Sequence, residues 1–319
     1  MSNETCTSAL TGGVANDVGS FKRAARWLVL PVLLGGGLTA TWLGFRQFGL
    51  VPLVAAVIAV AIFGFLAVGL CERWLPYRQK WLRSHRDIGV DITHLIVNNG
   101  MVEKLLVAFL TTVFAGSSTW LADTLGFSTW PHDWPLVAQL VLMAVIAEFG
   151  SYWYHYFGHK TPWLWRFHAV HHSPHRLYFL NAPRFHPVDR LLSNIPETLP
   201  FIILGANAET IALFFAYNAI VGLLQHCNVD LRLGPLNYVF SLAELHRWHH
   251  SKLIEESDTN FGSNLIIWDL AFGTFFHPKG REVGEIGLLN PEYPSNYLSQ
   301  VAAPFADRDI SKPADYQGA

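Results

Sequence analysis

Charge is scarce in this chain. Lys, Arg, Asp and Glu make up 14% of its 319 residues and the mean hydropathy is +0.26, whereas about a quarter of an ordinary soluble domain is charged. That excludes a normal water-facing surface over most of the molecule. The two signs nearly balance, 22 basic against 24 acidic residues, so there is no basic excess of the kind that binds nucleic acid, and no nucleic-acid partner is expected. Cysteine is nearly absent. Cys6, Cys71 and Cys227 are too few and too scattered for a disulfide framework or a thiolate metal site, and are expected to be packing residues. There is no glycine-rich nucleotide loop and no fused haem domain, so electrons for any redox chemistry must come from a separate protein. No cleavable signal peptide, internal repeat or long low-complexity segment is apparent.

Long apolar runs are present instead. Trp27 to Phe45 and Phe48 to Cys71 carry no charge, and each can cross about 30 Å of hydrocarbon at 1.5 Å per residue. Leu105 to Ala122 is a third candidate span, and Trp134 to Tyr154, interrupted only by Glu148, a fourth. Leu199 to Ala206 is too short to cross. Asn207, Glu209 and Thr210 break that run before Ile211 to Gln225 resumes it, which predicts a re-entrant hairpin whose second arm is capped by Asn207 or Thr210. A tilted full span is the alternative. Lys22, Arg23 and Arg26 precede the first span, and Arg73, Arg78, Lys80, Arg83 and Arg86 follow the second, with Arg46 alone at the turn between them. The positive-inside rule places both basic flanks in the cytoplasm and the loop around Asp123 and Asp133 outside.

The expected class is therefore an all-α integral membrane protein with about four transmembrane helices, a re-entrant hairpin and a cytoplasmic helical cap. Residues 1–26 read as an N-terminal cytoplasmic segment, 27–90 as the first membrane hairpin and its basic loop, 91–280 as the catalytic domain, and 281–319 as a C-terminal tail able to fold back over the cytoplasmic face.

Histidine is the residue type that carries chemistry. His155 and His159, then His168, His171 and His172, then His246, His249 and His250 form three short groups, at spacings that put imidazoles on one face of a helix. If the hairpin turns back, all three groups share the cytoplasmic side; a full crossing would strand the third. Eight imidazoles exceed the four ligands one zinc takes, so two metals are implied. Imidazole suits iron, copper, nickel and zinc alike. Two irons activating dioxygen against unactivated carbon–hydrogen bonds fit neutral ligands at a membrane edge, with two zincs as the alternative. A histidine-lined metal transporter and a zinc-dependent membrane hydrolase are the other classes weighed. A transporter would spread its ligands through the bilayer.

The ordered set of His155-Tyr-Phe-Gly-His159, Leu164-Trp-Arg-Phe-His168-Ala-Val-His171-His172-Ser173, Asn181-Ala-Pro-Arg184-Phe-His186-Pro187, His246-Arg-Trp-His249-His250-Ser251, Asp258-Thr-Asn260-Phe-Gly262 and Trp268-Asp269-x-x-Phe-Gly273-Thr274 resembles the fatty acid hydroxylase and sterol desaturase superfamily of membrane histidine-box diiron enzymes, nearest to bacterial sterol-desaturase-like proteins and alkylglycerol monooxygenase. The resemblance implies a diiron centre, dioxygen as co-substrate, hydroxylation or desaturation of a sterol, fatty acyl or ether lipid, and a ferredoxin, cytochrome or reductase as donor. A bacterial inner membrane is the expected location. It also implies a ligand between the second and third groups. His226 is the candidate ninth ligand, with helix capping as its alternative, and Asp230 a possible tenth. Glu148, two turns before His155, is expected to accept an imidazole N–H, and Asp258 and Asp269 to serve similarly. Asp91 with His94 reads as a cap or lipid-facing contact, and His175 and His186 as supporting or structural residues. His85, His132 and His277 carry no signal.

Overall fold

In the computed structural model, residues 19–48, 50–306 and 309–312 are described. Cys6 and residues 1–18 of the N-terminal segment lie outside them. Among the described residues there is no strand, only three isolated β-bridges, and five helices are long and apolar enough to cross a membrane. The chain is a multi-pass membrane protein.

Helices α1 (Ser20–Phe48) and α2 (Leu50–Trp74) pack on each other. The third apolar helix, α3, runs over Ile88–Val113, not Leu105 to Ala122. Asn98, Asn99, Glu103 and Lys104 lower its hydropathy, yet Asn98 and Glu103 are buried against the protein. The chain breaks at Phe114–Gly116 before a short α4 (Ser117–Leu125), which Gly126 ends at φ 77°. Residues Leu95–Val102 of α3 are π-helical, an over-wide turn that recurs near functional sites.

Pro135 precedes α5 (Leu136–Lys160), and Pro162 starts α6 (Pro162–His172), where its missing N–H costs nothing. The hairpin is longer than residues 199–225. Its arms are α7 (Pro187–Leu204) and α8 (Ala208–His226), turned by Gly205 at φ 77° and Ala206. Asn207 caps α8 by accepting from the Thr210 N–H at 2.8 Å. Gln139, in the first turn of α5, accepts from Asn207 Nδ2 and Thr210 Oγ1 at 2.7 and 3.2 Å, so the hairpin reaches the level at which α5 begins. Both its ends return to the histidine-bearing end. α8 itself is the fifth helix with spanning length.

The core lies where α1, α2, α5 and α7 meet α8, around Leu30, Val68, Met143, Phe201, Phe214 and Ile220. Leu28, Phe63 and Val137, on the outward faces of α1, α2 and α5, are all more than half exposed. A helix apolar on every side is one that faces lipid as well as core. The approach of α5 to α7 depends on two residues. Pro200 has no N–H for the carbonyl of Pro196, and a Cβ on Gly150 would lie 2.3 Å from that oxygen.

A short helix α9 (Ala243–His249) carries the third histidine group. Residues 281–306 then pack over the box helices: Gly287 N–H donates to the His250 carbonyl at 3.0 Å, and His186 Nε2 lies 3.0 Å from the Val301 carbonyl.

Candidate metal centre

The last turns of α5 present His155 and His159 on one face, four residues apart. α6 ends in His168, His171 and His172, all buried, and the His168 ring packs beside Gly158 of α5. α9 supplies His246 and His249, with His250 at its C-cap. His226 closes α8. These nine imidazoles fall into two groups. His155, His159, His168, His172 and His249 form one, and His171, His226, His246 and His250 the other; within each group the available ligand atoms lie within 4.8 Å of one another.

The outward ring nitrogens explain which atoms face in. The Nδ1–H groups of His155, His249 and His171 donate to the backbone carbonyls of Phe261, Thr259 and Arg184 at 2.6, 2.7 and 3.2 Å. A carbonyl only accepts, so each Nε2 keeps its lone pair. His168 Nδ1 meets Asp189 Oδ2 at 3.0 Å and His159 Nδ1 meets Asp258 Oδ1 at 3.2 Å, while His226 Nδ1 meets Asn181 Oδ1 at 3.1 Å. The inward Nε2 atoms of His155, His168 and His249 are buried without any partner. His159 and His172 bring Nε2 atoms to 3.1 Å, and the pairs His226–His246 and His246–His250 do so at 3.0 Å. At that distance the pair either shares one proton, with one Nε2–H donating to the other, or directs two lone pairs toward a common cation. The two groups, of five and four imidazoles, could each hold a metal ion.

Burial, reinforced by neighbouring imidazoles, holds His171, His172, His246 and His250 well below the usual histidine range, and brings His249 down to about 3. These rings are neutral at pH 7, the state a metal ligand requires.

Glu148 does not reach an imidazole. Its carboxylate accepts from the backbone N–H groups of Ser263 and Asn264, the latter at 2.9 Å, and so holds the loop whose Phe261 carbonyl orients His155. Asp269 grips the same loop through the N–H groups of Phe261 and Gly262 at 2.7 and 2.8 Å. Asp258 does meet a ring, that of His159, and also Lys160. Asp189, which the sequence reading missed, orients His168 and accepts from Tyr154 at 2.5 Å; its signal was a carboxylate in the first turn of a proline-started helix. Asp230 pairs with Arg26 at 2.8 Å, away from the histidines. Asp91 and His94 are neither cap nor lipid contact: Asp91 is buried against Arg184 at 2.5 Å, and His94 against Gln300 at 2.9 Å. His186 caps α7, and His175, His85, His132 and His277 join neither group.

His155, His168, His171 and His246 also line a cavity of about 910 Å³. Val57 to Phe65 of α2, Leu95 and Asn99 of α3, and Ile211 to Leu223 of α8 form much of its wall. α2 and α3 flank it without packing closely on each other.

Replacing His226 with Ala is expected to lower the metal content of the purified protein, whereas His132→Ala should leave it unchanged. Elemental analysis decides the matter; full metal in both variants would reduce His226 to a buried partner of Asn181.

A sequence model of the fatty acid hydroxylase family matches residues 140–274. An ornithine lipid hydroxylase of Rhizobium tropici is 38% identical over 287 residues, 88% of this chain and 83% of that protein. The alkylglycerol monooxygenase of Danio rerio is 29% identical over 214 residues, 66% of this chain and 46% of its own, and methylsterol monooxygenase 1-2 of Arabidopsis thaliana 30% identical over 146 residues, 45% and 48%. The chain thus spans about half the length of these last two. No solved structure matches.

Proposed function

Because this chain belongs to the fatty acid hydroxylase family, and is an oxidoreductase of the hydroxylase and monooxygenase kind, we propose that it hydroxylates a membrane lipid with dioxygen at a diiron centre held by the nine histidines. The observation that carries this reading is the shared wall: both histidine groups contribute rings to one cavity whose remaining lining is mostly, though not wholly, apolar. Two bound irons, reduced by an external protein, would supply the activation of dioxygen that breaks an unactivated carbon–hydrogen bond.

The rest is the work of this chain's own residues. The carbonyls of Phe261, Thr259 and Arg184, with Asp189 and Asp258, fix the imidazoles before a metal arrives, so little reorganisation accompanies binding. The gap between α2 and α3 admits a lipid sideways from the bilayer, and the apolar wall from α2 and α8 keeps water from the reacting carbon. The histidine end faces the cytoplasm, by the basic flanks, which is where a ferredoxin, cytochrome or reductase would dock. The membrane is the inner membrane of a bacterium, as the Rhizobium relative suggests.

Metal analysis of the purified protein, paired with lipid profiles of cells with and without the gene, tests this. The expected result is about two irons per chain and a lipid one oxygen heavier in cells that express it. One zinc with no iron would overturn the diiron centre, and a product lacking two hydrogens would replace hydroxylation by desaturation.

A further inference from the structure

A second, smaller opening lies at the histidine end and shares no lining residue with the apolar cavity. It is a pocket of about 220 Å³ where four separate segments meet: Arg78 and Lys80 follow α2, His175 follows α6, Lys252 follows α9, and Glu285 and Ile286 lie in the segment that packs over the box helices. Its charge is one-sided. Glu285 is the single carboxylate of the lining and pairs with Lys252 at 3.0 Å. Arg78 gives its guanidinium to the backbone carbonyls of Val283 and Gly284, the latter at 2.8 Å, and lies 5.1 Å over the Trp81 ring, so no carboxylate neutralises it. Lys80 is exposed and feels the same Glu285, yet it forms no ion pair with any described residue. Three fixed cations thus face one fixed anion, and exposed Arg83 and Arg86 extend the basic segment.

The positive-inside rule accounts for Arg78 and Lys80, which follow a span, but not for Lys252, well past the end of α8, nor for four segments converging on one depression. The floor of the pocket leads to the histidines. Lys252 is two residues from His250 and His175 three from His172, at most about 7 and 11 Å of chain. Gly287, next to Ile286, donates to the His250 carbonyl at 3.0 Å, and the His175 ring packs beside it. His172 and His250 stack with ring centroids 4.5 Å apart, one from each ligand group, and neither lines the apolar cavity. The cluster therefore turns one edge to the cavity and another to the basic pocket. Resting on the reading above that an external protein reduces the metals, we infer that this pocket is the docking site of the electron donor, a small protein whose acidic face seats a carboxylate between Lys80 and Lys252. Charge alone would also suit an anionic lipid; a lining that takes no residue from the spanning helices, over the ends of two histidine groups, favours the redox protein. Complementary charge speeds such an encounter and fixes its register. Each docking transfers one electron, oxidising the donor and reducing the metal pair. Two electrons and two protons are consumed per dioxygen, one oxygen atom leaving in the alcohol and the other as water. Entry beside the stacked His172 and His250 serves both ion sites by one short path and leaves the lipid's route free.

The full-length, metal-loaded protein in nanodiscs of zwitterionic lipid would be titrated with an acidic ferredoxin by surface plasmon resonance. The expected result is an affinity that falls as salt screens the charges, drops on the order of tenfold in the double variant Lys80→Glu, Lys252→Glu, and rises in Glu285→Gln. Lys279→Glu, at an exposed cation outside the pocket, should bind as the wild type does. Reduction of the metals by the ferredoxin, followed by stopped flow, should slow in the double variant, whereas reduction by methyl viologen, which needs no docking, should not. Metal content and thermal melting, read on the same preparations, should be unchanged. Ferredoxin binding that ignores both salt and the substitutions would overturn the assignment. So would intact ferredoxin binding in a double variant that no longer retains phosphatidylglycerol, which would make the pocket a lipid site. If docking and its charge dependence stand but no lipid is oxidised, the hydroxylase reading fails and this one survives; if viologen drives hydroxylation while the ferredoxin ignores the pocket, the reverse holds.

Discussion

His249→Ala and His171→Ala are each expected to abolish turnover and strip metal while leaving the helices inserted. The two residues belong to different ion-binding groups, and each ring is fixed by a carbonyl on its outer edge, at Thr259 and Arg184. Removing either leaves its group short of a donor whose lone pair has no substitute nearby. Structural damage should be small by comparison. The main apolar core, around Phe214 and Ile220, takes only Ala243 from the helices that carry these two histidines, and a truncated ring near the cluster costs about the few kcal/mol of a core cavity. Elemental analysis, product detection and a thermal melt on the same preparations separate these effects. Full turnover in either variant would sink the proposed ligand assignment.

The second large effect is all-or-none accessibility. In a background lacking Cys6, Cys71 and Cys227, single cysteines at Arg83, His175 and Leu253, all exposed positions, should react with an impermeant thiol reagent only from the cytoplasmic side. One at Asp123 should react only from the other side. The hairpin of α7 and α8 returns to the end from which it started, so the loops after the second and third histidine groups must share a compartment. Opposite labelling at His175 and Leu253 would be incompatible with the fold, and cytoplasmic labelling at Asp123 would invert the orientation.

What the sequence revealed and what it hid follow from one distinction. Helical spacing is a local property, so the eight box histidines were legible, as was the capping of α8 by Asn207. His226 was reachable because it ends an apolar arm. Partnerships across elements were not legible. Glu148 lies two turns from His155, yet periodicity cannot say whether a carboxylate reaches a ring or a backbone N–H, and here it takes the backbone of Ser263 and Asn264. The start of α3 was misplaced for a related reason. Asn98 and Glu103 lower the hydropathy of their window although both are held inside the protein, Asn98 Nδ2 by the carbonyl of Phe185 and Glu103 by Arg190. Asp189 escaped because only the fold brings α7 beside α6.

The packing of residues 281–306 over the box helices sets an order of events during synthesis. Gly287 holds the backbone of His250, and Val301 meets His186, the residue that caps α7. A nascent chain released only as far as the third histidine group would therefore have threaded its apolar helices and gathered its imidazoles with that end of the cluster still uncovered. Any metal ions that the histidines hold would have freer access to the cluster in this interval than after the last residues cover it. A chain cut before Gly287 would lack both contacts and leave that end of the cluster uncovered.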